Sequence, residues 1–284
     1  MTTLIIGGSG FLGSELVRQA TETGHNTAAT CTTAFEGRSQ TAVWHQLDLR
    51  QPEDLERVLD AVDPDLVVNV ASSKASWTVT AQAPIRIALA AAQRGFRLVH
   101  VSSDAIFSGA RVHYCESDQP DPASPYGAMK AAAETGVLAV APEAVVARTS
   151  LIIGRGQSIH ERVVHEMAAG TREGALFTDD IRCPVFVEDL AAALLELAAG
   201  ETTGIRHLAG TDAISRHELG TLIAGRDGLD ASRLRPALRP HTPLSGALDV
   251  RLDSRATQQM LHTKLRGARE FCTATVSGAV TDCS

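Results

Sequence analysis

The sequence predicts an α/β protein: a doubly wound parallel sheet followed by a smaller C-terminal domain. Three observations predict it. Short apolar runs alternate with amphipathic helical patterns through the first half of the chain. A glycine-rich turn joins the first run to the first helical pattern. Beyond about residue 150 the alternation loosens, and polar stretches with Gly and Pro separate the helical segments. Strands alternating with helices at this spacing imply a parallel sheet, helices on both faces and right-handed crossovers.

The elements follow in order. Thr3-Leu4-Ile5-Ile6 is a β-rich run that ends at glycines. Leu12, Leu16, Val17 and Ala20 then recur at helical spacing up to Gly24, a C-terminal stop. Asn26 to Thr33 reads as the second strand. Pro52 opens a helix with apolar Leu55, Val58, Leu59 and Val62, the i, i+3, i+4, i+7 pattern. Leu66 to Val70 is apolar except for Asn69, as in a strand buried on both faces. Ile85–Arg94 reads as a helix, Arg97–Ser102 as a strand, Lys130–Val140 as a helix and Val145–Arg148 as a strand. Later helices are expected at Ile159–Ala169, Asp189–Ala199 and His217–Gly225. Leu234 to Pro243 carries three prolines and two arginines and reads as a surface loop. The tail from Thr273 shows no periodicity. The division expected is 1–150 for the sheet domain and 151–284 mainly for substrate, with some segments returning to the first domain.

Composition narrows the function. Of 284 residues, 26 are Lys or Arg and 33 are Asp or Glu, a formal charge of −7. That balance argues against a broad nucleic-acid surface, which needs clustered positive charge. No apolar run approaches the ~20 residues that span a bilayer, so no membrane partner is expected. Met1 to Gly7 lack the basic flank and long apolar core of a signal peptide. The five cysteines are far apart with no Cys-x-x-Cys pair, so reduced thiols in the cytoplasm are expected. The histidines lack metal-ligand spacing, and no metal is predicted. Doubly wound sheets often form dimers, so a homodimer is allowed, with no seam readable.

Gly7-Gly8-Ser9-Gly10-Phe11-Leu12-Gly13 carries glycines at 7, 10 and 13 between a strand and a helix. Glycine permits the tight turn and lets backbone N–H groups approach a pyrophosphate, which the helix dipole favours. In this context the turn predicts a Rossmann dinucleotide site. The predicted cofactor set is Gly7, Ser9, Gly10, Phe11, Leu12, Gly13, Thr32, Arg38, Asp48, Leu49, Ala71, Ser72, Tyr126 and Lys130. An NAD site usually places an acid near the end of the second strand. Here that strand ends Ala29-Thr30-Cys31-Thr32-Thr33 with no acid, and Arg38 follows. This favours the 2′-phosphate of NADP over NAD.

Tyr126-Gly127-Ala128-Met129-Lys130 places a phenol and an ammonium four residues apart, on one helix face. A nearby lysine cation favours the tyrosinate and brings the phenol toward a useful range. The chain has only two tyrosines. Ser103 ends a predicted central strand, at the sheet edge where open α/β proteins bind ligands. Ser103 would donate to a substrate carbonyl and Tyr126 would deliver the proton. Asp104 is expected to orient the loop or touch substrate. Arg182, in Phe177-Thr178-Asp179-Asp180-Ile181-Arg182, is a candidate contact for a substrate anion, or a structural ion pair.

Together these residues resemble the extended short-chain dehydrogenases/reductases, and within them the dTDP-4-dehydrorhamnose reductase family. The resemblance rests on the glycine loop, Asp48-Leu49, Asn69-Val70-Ala71, Ser102 to Gly109, Tyr114-Cys115-Glu116, Pro125-Tyr126-Gly127 with Lys130 and Glu134, and Arg148-Thr149-Ser150. Weaker matches run through Val187 to Ala191, Gly204 to Gly210 and Leu248 to Asp253. The resemblance implies a Rossmann domain with a small substrate domain. It implies NAD(P)H-dependent reduction of a 4-keto group on a nucleotide-linked deoxysugar, with Ser103, Tyr126 and Lys130 as the catalytic set. Ala105 stands where the family usually has Tyr, and Leu151 where it usually has Trp. Losing two aromatics removes stacking surface, which opens the substrate to another keto-sugar or a non-sugar carbonyl. Epimerisation or dehydration on the same scaffold, and a non-catalytic NADP-binding regulatory subunit, are the alternative readings.

Overall fold

A computed structural model describes residues 1–24, 26–33, 41–240 and 246–273. Seven strands form one fully parallel sheet: β1 (Thr2–Ile6), β2 (Asn26–Cys31), β3 (Val43–Gln46), β4 (Leu66–Asn69), β5 (Arg97–Ser103), β6 (Val145–Thr149) and β7 (Gly204–Leu208). Their order is β7-β6-β5-β4-β1-β2-β3. From β1 the chain winds outward through β2 and β3, then returns to place β4 on the other side of β1. The carboxyl ends of β1 and β4 therefore flank a crevice at the topological switch point.

The strands read as apolar runs because both sheet faces are covered. Ile5, Val68, Val99, Val101, Val145 and Ala147 point to one layer. Leu4, Ile6, Val67, Leu98 and Val146 point to the other, the period-2 alternation of a strand. On the first face, α1 (Phe11–Glu22) buries Leu12, Leu16, Val17 and Ala20 against Leu190, Leu194 and Leu197 of α6 (Val187–Ala199). On the second lie α2 (Pro52–Val62), α3 (Ala83–Arg94) and α4 (Pro125–Val140). Each fully buried Leu or Val there contributes roughly 1.5–3 kcal/mol relative to exposure. A separate apolar cluster joins α5 (Ile159–Ala169) to α7 (Arg216–Asp227) through Val164, Met167, Leu219 and Ile223.

Several expectations need correction. β2 stops at Cys31 rather than Thr33. α4 begins at Pro125, five residues before Lys130, because Ser124 accepts the Gly127 N–H at 3.1 Å and Pro125 takes the first helical position. β7 is a sheet strand that periodicity does not reveal. The segment from Leu234 lies mostly at the surface, with Leu238 73% exposed, but Leu234 is buried and Pro236–Ala237 pairs with Leu176–Phe177. Residues 241–243 of that segment and the tail beyond Thr273 lie outside the described residues. The four described cysteines are unpaired. No described helix is long and apolar enough to cross a membrane.

Candidate active site

The glycine turn is shaped by backbone approach. Gly7 has φ +89°, and a Cβ there would lie 2.9 Å from the Ala71 backbone nitrogen. That is the meeting of the β1 and β4 ends. A Cβ on Gly13 would overlap the Gly7 carbonyl. Thr30 Oγ1 accepts the Gly7 N–H at 3.0 Å, and Gly10 N–H donates to the Gly7 carbonyl at 3.0 Å. No side chain caps α1 and no acid lies in its first turn, so its leading N–H groups are left for an anion.

This turn opens on a cleft of about 540 Å³. Gly7, Ser9, Gly10, Phe11, Leu12, Gly13, Thr32, Asp48, Leu49, Ala71 and Ser72 all line it. The structure thus brings these predicted cofactor residues together from four strand ends; Tyr126 and Lys130, also predicted, are not among the residues that line the cleft. Arg38 lies outside the described residues. Sequence reading missed Thr30, which anchors the turn, and Arg50, which stands on the cleft wall. Asp48 grips Arg50 through both carboxylate oxygens, at 2.6 Å for the closest pair. This hydrogen bonding holds the Asp48 carboxyl below its usual range. The acid–base alternation Asp48-Leu49-Arg50 was the only sequence signal for that arginine. The volume, the glycine cradle and the uncapped helix fit a dinucleotide.

The catalytic candidates stand at the carboxyl end of β5 and the start of α4, outside the residues that line this cleft. Tyr126 sits in the first turn of α4, with the Ser72 side chain near enough its hydroxyl to act on the phenol. Ser103 ends β5. Its Oγ accepts the Ala105 N–H at 3.2 Å, capping a single turn over Asp104–Ile106. The two elements touch backbone to backbone: a Cβ on Gly127 would overlap the Ala105 carbonyl oxygen. Close packing at one glycine thus sets the Tyr126 turn against the Ser103 turn.

Lys130 lies one helical turn beyond Tyr126 and is buried, with Nζ donating to the Val101 carbonyl at 2.8 Å. Burial lowers its ammonium to about 8, against the opposing pull of Glu134. The expected lowering of the Tyr126 phenol is corrected here. Burial pushes it above its ordinary value and the Asp104 charge adds to that, while Ser72 opposes. The lysine's nitrogen is turned onto Val101, so it does not offset burial of the phenol. Behind Lys130, His100 is fully buried and neutral, pushed well down by desolvation and by Lys130.

Asp104 is buried and oriented rather than open. Its Oδ2 accepts from Ser150 at 2.7 Å and lies 3.5 Å from Arg182 Nε. Arg182 is a wall residue, not an open anion contact: its guanidinium is engaged by the carbonyls of Ile181, Ala247 and Leu248 and by Asp180 at 3.0 Å. Leu151 turns into the α5/α7 apolar cluster. Among the described residues no group of three or more His, Cys, Asp or Glu side chains could hold a metal ion.

Comparison with known proteins gives a consistent result. The family described as RmlD substrate binding domain matches residues 1–279. The dTDP-4-dehydrorhamnose reductase of Mycobacterium tuberculosis is 32% identical over 259 residues, covering 84% of this chain and 80% of that protein. The structure of dTDP-4-dehydrorhamnose reductase from Bacillus anthracis, in complex with NADP, aligns with TM-score 0.82 and 18% identity, over 96% of this chain and 98% of that one. The Bordetella bronchiseptica enzyme WbmG, in complex with NAD, aligns with TM-score 0.80 and 22% identity, over 94% of this chain and 89% of that one. At these identities the two complexes show a shared fold.

Proposed function

The chain belongs to the dTDP-4-dehydrorhamnose reductase-like family of extended short-chain dehydrogenases/reductases, and we propose that it is an NAD(P)H-dependent reductase of a 4-keto group on a nucleotide-linked deoxysugar or related metabolite. The observation that carries this reading is the packing of the Tyr126 turn on the Ser103 turn, where Gly127 meets the Ala105 carbonyl, next to the glycine-turn cleft whose wall residue Ser72 acts on the Tyr126 hydroxyl. A bound nicotinamide dinucleotide supplies the hydride.

The chain's own residues do the rest. Gly7, Gly10 and Gly13 admit the pyrophosphate to the α1 N-terminus. Tyr126 holds its proton at neutral pH, because burial and Asp104 keep the phenol above its ordinary range. It is therefore a competent acid for the carbonyl oxygen as negative charge develops there. Ser103 donates a second hydrogen bond to the same oxygen. Lys130 uses one of its three N–H donors on Val101 and keeps two for the ribose of the cofactor. Asp104, fixed by Ser150, keeps the Ser103 turn in place.

The preferred cofactor in this reading is NADP(H). Cys31-Thr32-Thr33 offers hydroxyls and no carboxylate at the end of β2, and Arg50 adds a cation to the cleft. The solved relatives named above carry NADP in one case and NAD in the other, so affinity for NADPH relative to NADH is the measurement that decides. For the chemistry, the test is consumption of NADPH with dTDP-4-dehydrorhamnose and related 4-keto sugars. Tyr126→Phe should lower kcat by about 10²–10⁴-fold, the range for a positioned general acid. Full turnover by that variant would remove Tyr126 as the proton donor.

A further inference from the structure

Between β4 and α3 one threonine ties the cofactor cleft to the helix that carries Tyr126. The chain leaving β4 runs Ser72-Ser73-Lys74-Ala75-Ser76, and Ser72, Ser73, Ser76 and Val79 line the cleft. Thr80 does not line it and is fully buried. Its Oγ1 nevertheless holds both backbone groups of Ser73. It accepts the Ser73 N–H at 2.8 Å and donates to the Ser73 carbonyl at 2.6 Å. A hydroxyl has a single proton to give, and this one is committed to the cleft wall. Thr21, Thr135 and Thr221 spend theirs locally, each on the carbonyl four residues back in its own helix. Thr80 reaches out of its own turn, seven residues back.

A local distortion aims it there. Thr78–Gln82 is a π-turn, closed by the Ala83 N–H on the Thr78 carbonyl five residues earlier. Pro84 gives the cause. It has no N–H, and its ring excludes the carbonyl four residues before it, that of Thr80, from the ordinary helical position. The widened turn packs on α4, the helix of Tyr126 and Lys130. Single π-turns recur where helices meet functional sites. Ser73 is only half-buried, so water would satisfy its N–H and carbonyl without Thr80. A buried hydroxyl spent on that residue therefore fixes a position rather than filling a hydrogen-bonding need.

We propose that Thr80 is a positioning residue for the reduction: by holding Ser73 it fixes the serine wall of the cofactor cleft against α4, and so sets how the bound dinucleotide meets Ser103 and Tyr126. This deepens the reductase reading and rests on it for the step that is served. Ser72, next to the held residue, is also the cleft residue that acts on the Tyr126 phenol. Slack in this wall would reach the proton donor as well as the cofactor.

The test compares wild type with Thr80→Val, which keeps the shape and removes the hydroxyl, and Thr80→Ser, which keeps the hydroxyl. NADPH affinity is measured by direct titration with no carbonyl present. Then kcat and KM are measured at saturating NADPH with a 4-keto sugar that the wild type reduces. Thr80→Val should weaken NADPH about fivefold, in the range of one lost neutral hydrogen bond. Its kcat should fall about tenfold at saturating cofactor, with KM for the keto-sugar little changed, because small misplacements of reacting groups are costly. Thr80→Ser should recover most of both. A lowered melting temperature with unchanged kcat and NADPH affinity in Thr80→Val would make Thr80 merely structural and overturn the proposal. Equal losses in Thr80→Val and Thr80→Ser would overturn it too, by assigning the effect to the methyl group. Should Thr80→Val fail to fold, Thr80→Ala also removes the hydroxyl and carries the same expectations. A wild type that binds NADPH more tightly than Thr80→Val but reduces no carbonyl would sink the reductase reading and leave the hold on the cofactor wall standing. Reduction by Thr80→Val at the wild-type rate and NADPH affinity would sink the positioning role and leave the reductase intact.

Discussion

The glycine turn and the α5/α7 region of this molecule are held in place by different contacts. Around the glycine turn, geometry is set by backbone contacts and by apolar side chains on alternating faces of buried strands. In the α5/α7 region, buried charge carries much of the same duty. Glu161 is fully buried, caps α5 through Ser158, accepts the Gly154 N–H at 3.0 Å and pairs with Arg226 at 2.8 Å. Asp180 gathers three arginines. Alternation along buried strands sets a sheet edge by local rules. A region tied by buried charge is assembled from pairs distant in sequence.

The contrast can be broken most forcefully at Glu161. Glu161→Gln leaves Arg226 without its buried partner and should cost about 3–5 kcal/mol in denaturant unfolding. A loss under ~1 kcal/mol would show that the α5/α7 region is held by its apolar cluster instead. The same residue sets a pH dependence. Burial acts to raise its carboxyl, but Arg226, Ser158 and Gly154 together hold it below 4.5. Its contribution is therefore present above pH 4.5 and lost as pH falls through the lowered folded value, which acid titration of the melting temperature would follow.

Gly13→Ala makes the matching test on the cofactor side. The added methyl meets the Gly7 carbonyl, and overpacking of this kind costs about 1–3 kcal/mol. Dinucleotide affinity should fall with it, measured by quenching or calorimetry. A third experiment reads the catalytic helix α4. With Lys130 lowered to about 8, its charge is present below that pH and lost above it. The kcat/KM for reduction should decline as pH rises through about 8, and Lys130→Met should remove that limb. The smallest effect is expected at Arg50→Ala. The side chain is largely exposed and tied to Asp48, so a few-fold loss of NADPH affinity relative to NADH is the expectation, in keeping with the modest worth of exposed charge.

How much of this was legible in the sequence follows the same division. Leu66 to Asn69 and Val145 to Thr149 announce themselves because a strand buried on both faces is apolar throughout. β7 does not, because Gly204-Ile205-Arg206-His207-Leu208 carries two polar residues. They are accommodated by remote partners: Glu116 accepts the His207 N–H and lies near Arg206, and His207 Nδ1 meets the Asp253 carbonyl. The glycine turn, Ser103, Tyr126 and Lys130 were readable by spacing. The approach of Ser72 to Tyr126 and the Arg216–His160 contact were not. They join positions 54 or more residues apart, and no local periodicity records them.

The contact between Gly127 and the Ala105 carbonyl has a consequence for altering this protein. The spacing between hydroxyl donor and proton donor is fixed by main chain, so the side chain at 105 is not needed to maintain it. Libraries that vary 105 could retailor which ketone is accepted while the reactive geometry stays put. Position 127 tolerates no such freedom, and diversity introduced there would uncouple the two halves of the reaction at once.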